Sequence, residues 1–552
     1  MRTYRRALVH DIAVSLAVIL VITGSALVTS RSAAASVQLA ATPEYSQFDQ
    51  VEAHAASTED PATSHPPPSP SLEAAAEAES VAATVESTMP VVPVAGFWSK
   101  ADGLKRAAIR RALTTGKLKG YRRVVVEKAI ADALADELGI ELHDDIRTTD
   151  ADRIAKAVSN GALGLVAATS LRPSLRALTV DGDSLHGNER IKDASEWPLS
   201  VTVELDPAEA WDQSRTWVLV AGGDSFTDRG VYDKVVKKGK GVDYPFDGGT
   251  ATVTGHGCCD PVFDDNIVPR YKLTGNKGAV RKLFRRAELA IANHEQPVTE
   301  LATHHTSGTR FGGKPELTRI FTRAGIDYLS LANNHIGDYG STGVQDTRRI
   351  LRQHDIAFGG AGKDLDQARK VRLLEARGTN LAIIPCLDIV KVYWAEKEKA
   401  GATPCVDQYI KKDIRKAARA GADVIIVFPH WGVEYTRQPL AAMRKHAERW
   451  VDAGADLVLG AHSHVAGSIE DIDGTPVLYS LGNLIFDQHW STNTMESALL
   501  EATFHGDQLI EMRLRPYIIH DTSQPNFLDS SRGEGRKLLL EMKQASSGWL
   551  DW

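Results

Sequence analysis

The chain has 552 residues, 43% of them hydrophobic and 24% charged, with a formal net charge of -7. That length exceeds one ordinary domain, and the apolar fraction allows a large buried core. The small net charge, with no concentrated basic stripe, excludes nucleic acid as a partner; no overall field draws an acidic polymer either, so anion binding has to come from a local site.

Arg2, Arg5 and Arg6 precede an apolar stretch over residues 12–28, a charged segment followed by a hydrophobic one. Residues 1–35 are therefore expected to be a signal peptide or membrane anchor, with Ala33-Ala34-Ala35 as a small-residue cleavage site. The positive charge places the N-terminus in the cytoplasm and the rest outside, so the protein is expected to be exported, on the outer face of the membrane or secreted. Residues 36–94 are rich in Ala, Pro, Ser and Glu around Pro66-Pro-Pro-Ser-Pro70, a composition expected to form a disordered linker. Four cysteines fit an exported protein. Cys386 and Cys405 bracket one loop and are a candidate disulfide, whereas a bond between the adjacent Cys258 and Cys259 would be strained; the full pairing stays open.

Residues 95–206 read as a smaller α/β lobe. Helical spacing covers 104–113 and 125–138, and short strands fall at 161–166 and 175–182. Leu113-Thr-Thr-Gly-Lys117, Gly161-Ala-Leu-Gly-Leu-Val166, Val180-Asp-Gly182 and Trp197-Pro-Leu199 resemble one lobe of a phosphate-type solute-binding protein. Half of such a protein has no second lobe to close on a ligand, which favours a structural or docking module.

Residues 214–552 alternate apolar runs with helical segments at 314–324, 342–354, 411–420 and 443–453, a βαβ pattern that implies an α/β core. Strand-like runs follow at 498–504 and 509–514, then a terminal helix at 536–545. Six of the apolar runs stop at residues that bind metals: Asp224, Asn293-His-Glu295, Asn333-Asn-His335, His430, His462-Ser-His464 and Asn483. The carboxyl ends of buried strands are where sites assemble in α/β proteins. A lone His-x-His is an ordinary loop; six such endings in one region point to a divalent-metal centre with nitrogen and oxygen ligands.

These blocks resemble the CapA family of poly-γ-glutamate capsule-synthesis proteins, within the calcineurin-like metallophosphoesterase superfamily. The resemblance rests on Gly223-Asp224 with Arg229-Gly230, Asn293-x-Glu295, Leu331-Ala-Asn-Asn-His335 with Asp338-Tyr-Gly340, His430-Trp-Gly-Val-Glu-Tyr435, Gly454-Ala-Asp456 with Gly460-Ala-His-Ser-His464, and Tyr479-Ser-Leu-Gly-Asn483. It implies a four-layer α/β/β/α sandwich and one or two divalent ions, with Mn, Fe or Zn as candidates. Asp224 and His464 would hold the first metal, Glu295 would bridge, and Asn334, His430 and His462 would hold the second. His335 would act as general acid or electrostatic stabiliser. Arg229 is read either as a structural ion-pair partner or, as its guanidinium fork suits, as a clamp on a phosphate or carboxylate group. The superfamily's usual His two residues after the first Asp is Phe226 here, so the first metal is expected to be one ligand short. His294 either points away as a strand residue or adds a ligand; His256 lies in an insertion and is read as a surface-loop residue, with supply of the missing ligand as the alternative.

The resemblance implies a metal-dependent phosphoesterase-like protein in surface-polymer assembly. Its partners would be an anionic surface polymer or phosphorylated substrate, a membrane synthase or transport complex, and the membrane through its N-terminus. The alternatives are a non-catalytic polymer-binding or anchoring protein using the same pocket, and a stand-alone extracellular metallophosphatase.

Overall fold

The computed structural model describes residues 84–257 and 267–546. The expected signal or anchor, nearly all of the linker, and Cys258 and Cys259 lie outside the described residues. No helix among the described residues is long and apolar enough to cross a membrane.

The site is built on two packed sheets. In the first, Thr216–Ser225, Leu289–His294, Tyr328–Ser330 and Ala357–Gly359 run parallel in that spatial order. Glu496–His505 and Gln508–His520 extend this sheet antiparallel from the other side of Thr216–Ser225. In the second, Thr379–Leu387, Val424–His430, Leu457–Leu459 and Thr475–Leu478 are parallel neighbours, flanked by antiparallel Leu373–Ala376 and Ile469–Ile472.

Side chains on a strand alternate between faces, and that alternation sorts these apolar runs into layers. Trp217, Leu219 and Ala221 share one core with Leu381, Ile383, Ile426 and Phe428 of the second sheet. Val218 and Val220, one residue out of phase, pack instead with Val280, Phe284, Ile320, Phe321, Val344 and Leu351. Those residues come from helices Ala279–Arg286, Arg319–Ala324 and Gly340–Gln353. On the far side, Ala382, Ile384, Ile425 and Val427 pack against Ile410 and Ile414 of Asp407–Arg419 and against Met443 and Trp450 of Ala441–Val451. The result is helix, sheet, sheet, helix: the four-layer α/β/β/α sandwich.

A separate sheet precedes it. Val85–Gly96 pairs antiparallel with Leu163–Ala167, Leu175–Ala177 and Ser200–Leu205. This strand begins inside the stretch read as linker. Its Met89, Val91, Val92 and Val94 are buried, so the apolar run outweighs the linker-like composition around it. The expected helix over 125–138 is divided: Val124–Glu127 is a strand and the helix is Ala131–Leu138. Three consecutive valines explain the difference, because β-branched side chains favour a pleated surface. This sheet's core includes Ile510 of the first large sheet, and Arg513 Nη2 donates to Ala177 O at 3.0 Å.

Cys386 and Cys405 are joined in a disulfide that closes the loop between them.

Candidate metal centre

Three strand ends meet at Asp224. In the parallel register, Asn293 and Asn483 both lie opposite it on the flanking strands. Gly223 permits this approach: a Cβ there would sit 1.8 Å from Gly482 O. Asp224 N can then donate to Gly482 O at 2.8 Å. From the second sheet, His430 ends its strand and bridges to Ala461, and His462 and His464 follow directly. Arg229, Tyr435, His462 and His464 have φ of 43°, 61°, 97° and 59°, the left-handed region that non-glycine residues avoid. Each such position costs on the order of 1–3 kcal/mol and persists only where its surroundings enforce it.

Two ligand groups result. Asp224, Glu295 and His464 form one and Glu295, His430 and His462 the other, each with ligand atoms within 4.8 Å of one another. Glu295 is common to both. His430 Nε2 lies 3.6 Å and His464 Nε2 3.9 Å from Glu295 Oε1. His464 Nδ1 is 3.5 Å from Asp224 Oδ2. Asn334 joins the second group, with Oδ1 2.8 Å from His430 Nε2. Around them, Asn293 Nδ2 donates to Asp224 Oδ1 at 2.7 Å, and Asn483 Oδ1 is 2.9 Å from His464 Nδ1. Asn333 Nδ2 donates to His294 O at 2.7 Å, tying the second and third strand ends together.

The electrostatics are those of a cation site. Asp224 and Glu295 are fully buried, and neither carboxylate oxygen of Glu295 has a hydrogen-bond partner. Burial first, then Asp224, Glu434 and Asp338, holds the Glu295 carboxyl well above the usual range. Burial also raises Asp224. Burial and the neighbouring histidines hold His430 and His462 well below theirs, which keeps both neutral, the form that binds metals. His462 Nδ1 is buried without a partner as well. Crowded carboxylates lacking donors, beside neutral imidazoles, are the arrangement a divalent ion relieves. The donor set fits such ions, including Mn, Fe and Zn.

The flank of the site is polar on one wall and aromatic on another. His335 Nδ1 is 2.9 Å from Asp338 Oδ2, and its ring stacks on Phe311 at 4.0 Å. Arg229 is already engaged: Nη2 donates to Asp487 Oδ1 at 2.5 Å and Nη1 to Gly308 O at 3.1 Å. Its charge still reaches Glu295, whose carboxyl it lowers. Phe226 stacks on Phe486 at 4.2 Å within the apolar core. His294 points away from the ligands, edge-on to Phe321 at 5.0 Å, and burial brings it down to about 3. His256 lies 3.6 Å from Glu534, outside both ligand groups. Neither histidine replaces the one that Phe226 displaces. Sequence reasoning placed Asn293 and Asn483 at the strand ends and Asp338 inside a motif but gave none of the three a role of its own; Asp487 carried no signal.

Residues 218–488 match the family model described as "Bacterial capsule synthesis protein PGA_cap". The PGA biosynthesis protein CapA of Bacillus subtilis is 32% identical over 271 residues, covering 47% of this chain and 71% of that protein. The chain belongs to the CapA family of capsule synthesis proteins. The capsule biosynthesis protein CapA of Bacillus anthracis is likewise 32% identical, over 292 residues, covering 51% of this chain and 71% of its own length. Among solved structures, a 5'-nucleotidase precursor from Thermus thermophilus aligns with a TM-score of 0.32 at 13% identity, over 60% of this chain and 58% of that one. In CapA terms, the matched stretch runs from the first strand of the sandwich to Gln488, and so contains every ligand named above.

Proposed function

We propose that this CapA-family protein is exported, remains anchored by its N-terminus, and serves the assembly of a poly-γ-glutamate-type surface polymer through a metal-dependent phosphoesterase-type site. The observation that carries this reading is one buried, partnerless carboxylate, Glu295, shared by two ligand groups. Asp224, Glu295 and His464 would hold one ion, and Glu295, His430, His462 and Asn334 the other. Bound there, the ions would supply Lewis-acid stabilisation of a phosphoryl oxygen. Asp338 fixes His335 through Nδ1, which leaves Nε2 to give a proton to a leaving oxygen. Arg229, held by Asp487, contributes fixed positive charge beside Glu295.

The test is turnover of phosphomonoesters and phosphodiesters by the chain from residue 84 onward, which keeps the strand Val85–Gly96 whole. His335→Ala is expected to lower kcat about 100- to 10,000-fold while leaving bound metal in place. Wild-type protein that holds its metal yet turns over no ester would sink the catalytic half of the proposal. A second reading is supported by Phe226: its ring fills an aromatic stack where the superfamily pattern has a ligand, and no other histidine among the described residues takes that role. On that reading the same pocket binds carboxylate or phosphate groups of the polymer without cleaving them, and oligomer affinity without turnover would be the result.

A further inference from the structure

Ala357–Gly359 is the last strand of the first large sheet, and Leu373–Ala376 is the last strand of the second. At this edge of the sandwich the ring of Phe358, only 3% exposed, is surrounded by arginines. The guanidinium carbons of Arg348, Arg352 and Arg372 lie 5.8, 5.7 and 5.2 Å from its centroid. Arg348 is 6% exposed, and its Nε is buried without a hydrogen-bond partner. Arg348 and Arg352 stand one turn apart on the helix Gly340–Gln353, the spacing at which like charges repel most directly.

Neighbouring arginines do not share this condition. Arg349 pairs with Asp346, and Arg369 with Asp413. Among the described residues, no carboxylate forms an ion pair with Arg348, Arg352 or Arg372. Asp364 favours the Arg348 charge from a distance, but it accepts from Gln367 N at 2.8 Å and lies 3.6 Å from Lys363. Burial, then Arg352 and Arg372, brings Arg348 down to about 10. An aromatic face attracts a guanidinium only weakly and leaves its donors unused. Arginines matched to an anion instead form charge-assisted, often bidentate hydrogen bonds.

We propose that Arg348, Arg352 and Arg372 form an anion-binding site, separate from the metal centre, that takes an oxyanion: a carboxylate of an acidic polymer or a free phosphate. The choice of a glutamate polymer as one probe rests on the function proposed above; the site itself does not. Binding here would hold a length of acidic chain against the sandwich although the molecule as a whole is negatively charged.

The experiment titrates a γ-linked glutamate oligomer and, separately, inorganic phosphate into the metal-loaded chain and into the variant carrying Arg352→Ala and Arg372→Ala, both exposed positions. At least one probe should bind the wild type, lose at least tenfold in affinity in the variant, and weaken as salt is raised, with metal content unchanged. Loss for the oligomer alone identifies the polymer as the source; loss for phosphate alone identifies the small anion. Because Glu295→Gln disturbs only the metal centre, oligomer affinity should survive that change even where metal and turnover do not. Without anion, the thermal midpoint of the double variant should equal or exceed that of the wild type, since repulsion is removed. Failure of both probes to bind, affinity for every bound probe unchanged by the double substitution, or a marked fall in that midpoint would overturn the proposal.

Discussion

Glu295 and the asparagines around it carry the chemistry at the scale of single residues. Asn483 touches no substrate in this account; it holds His464 through Nδ1 at 2.9 Å. Outer partners of metal-bound imidazoles set ring orientation, and losing one weakens metal binding about 10- to 100-fold. Asn483→Ala should therefore weaken metal binding by that factor, read by competition with a chelator. A second residue-scale prediction concerns Glu496, far along the chain, whose Oε1 is buried without a partner. Burial first, then Glu534 and Glu541, pushes its carboxyl up to about 9 from an ordinary 4.5. A folded value above the unfolded one means that stability is fully present below about pH 4.5 and is lost as pH rises toward about 9. Glu496→Gln should flatten that loss and raise stability at pH 8 by about 2 kcal/mol, as measured by urea unfolding at pH 5 and pH 8.

At the scale of elements, the site depends on how closely strand ends approach. Gly223 lets the first strand lie against Gly482, and any side chain there meets a backbone oxygen that cannot step aside. Gly223→Ala should cost about 1–3 kcal/mol in denaturant unfolding and lower metal content with it. Most of the strand endings were legible in the sequence because each of those apolar runs stops at a ligand-type residue. The supporting contacts were less legible. Asp487 becomes important only because the fold carries it 2.5 Å from Arg229, a separation of 258 positions that no local pattern encodes. His294 was ambiguous from its position; alternation along Leu289–His294 turns it to the helical side, against Phe321. The strand Val85–Gly96 was missed where proline-rich composition masked a buried valine run, and the three arginines around Phe358, two on a helix and one before a strand, form no local pattern in the sequence.

At the scale of the whole molecule, the four layers are sorted by period-two alternation in both sheets; the sequence pattern by itself implies only an α/β core, and the four-layer arrangement entered through the resemblance to the CapA family. What alternation cannot give is which loops are fastened. The disulfide closes the segment between Cys386 and Cys405, 19 positions apart, next to Leu387, which lies opposite His430 in the sheet register. Replacing both cysteines by alanine should lower stability by about 2–4 kcal/mol, with a matching fall in the denaturant midpoint. The central claim is that one carboxylate organises two ion sites. Elemental analysis of the chain from residue 84 onward, wild type beside Glu295→Gln, tests it most directly. The account predicts two divalent ions per wild-type chain and loss of both in the variant. No bound metal in the wild type, or a full complement retained by Glu295→Gln, would contradict it.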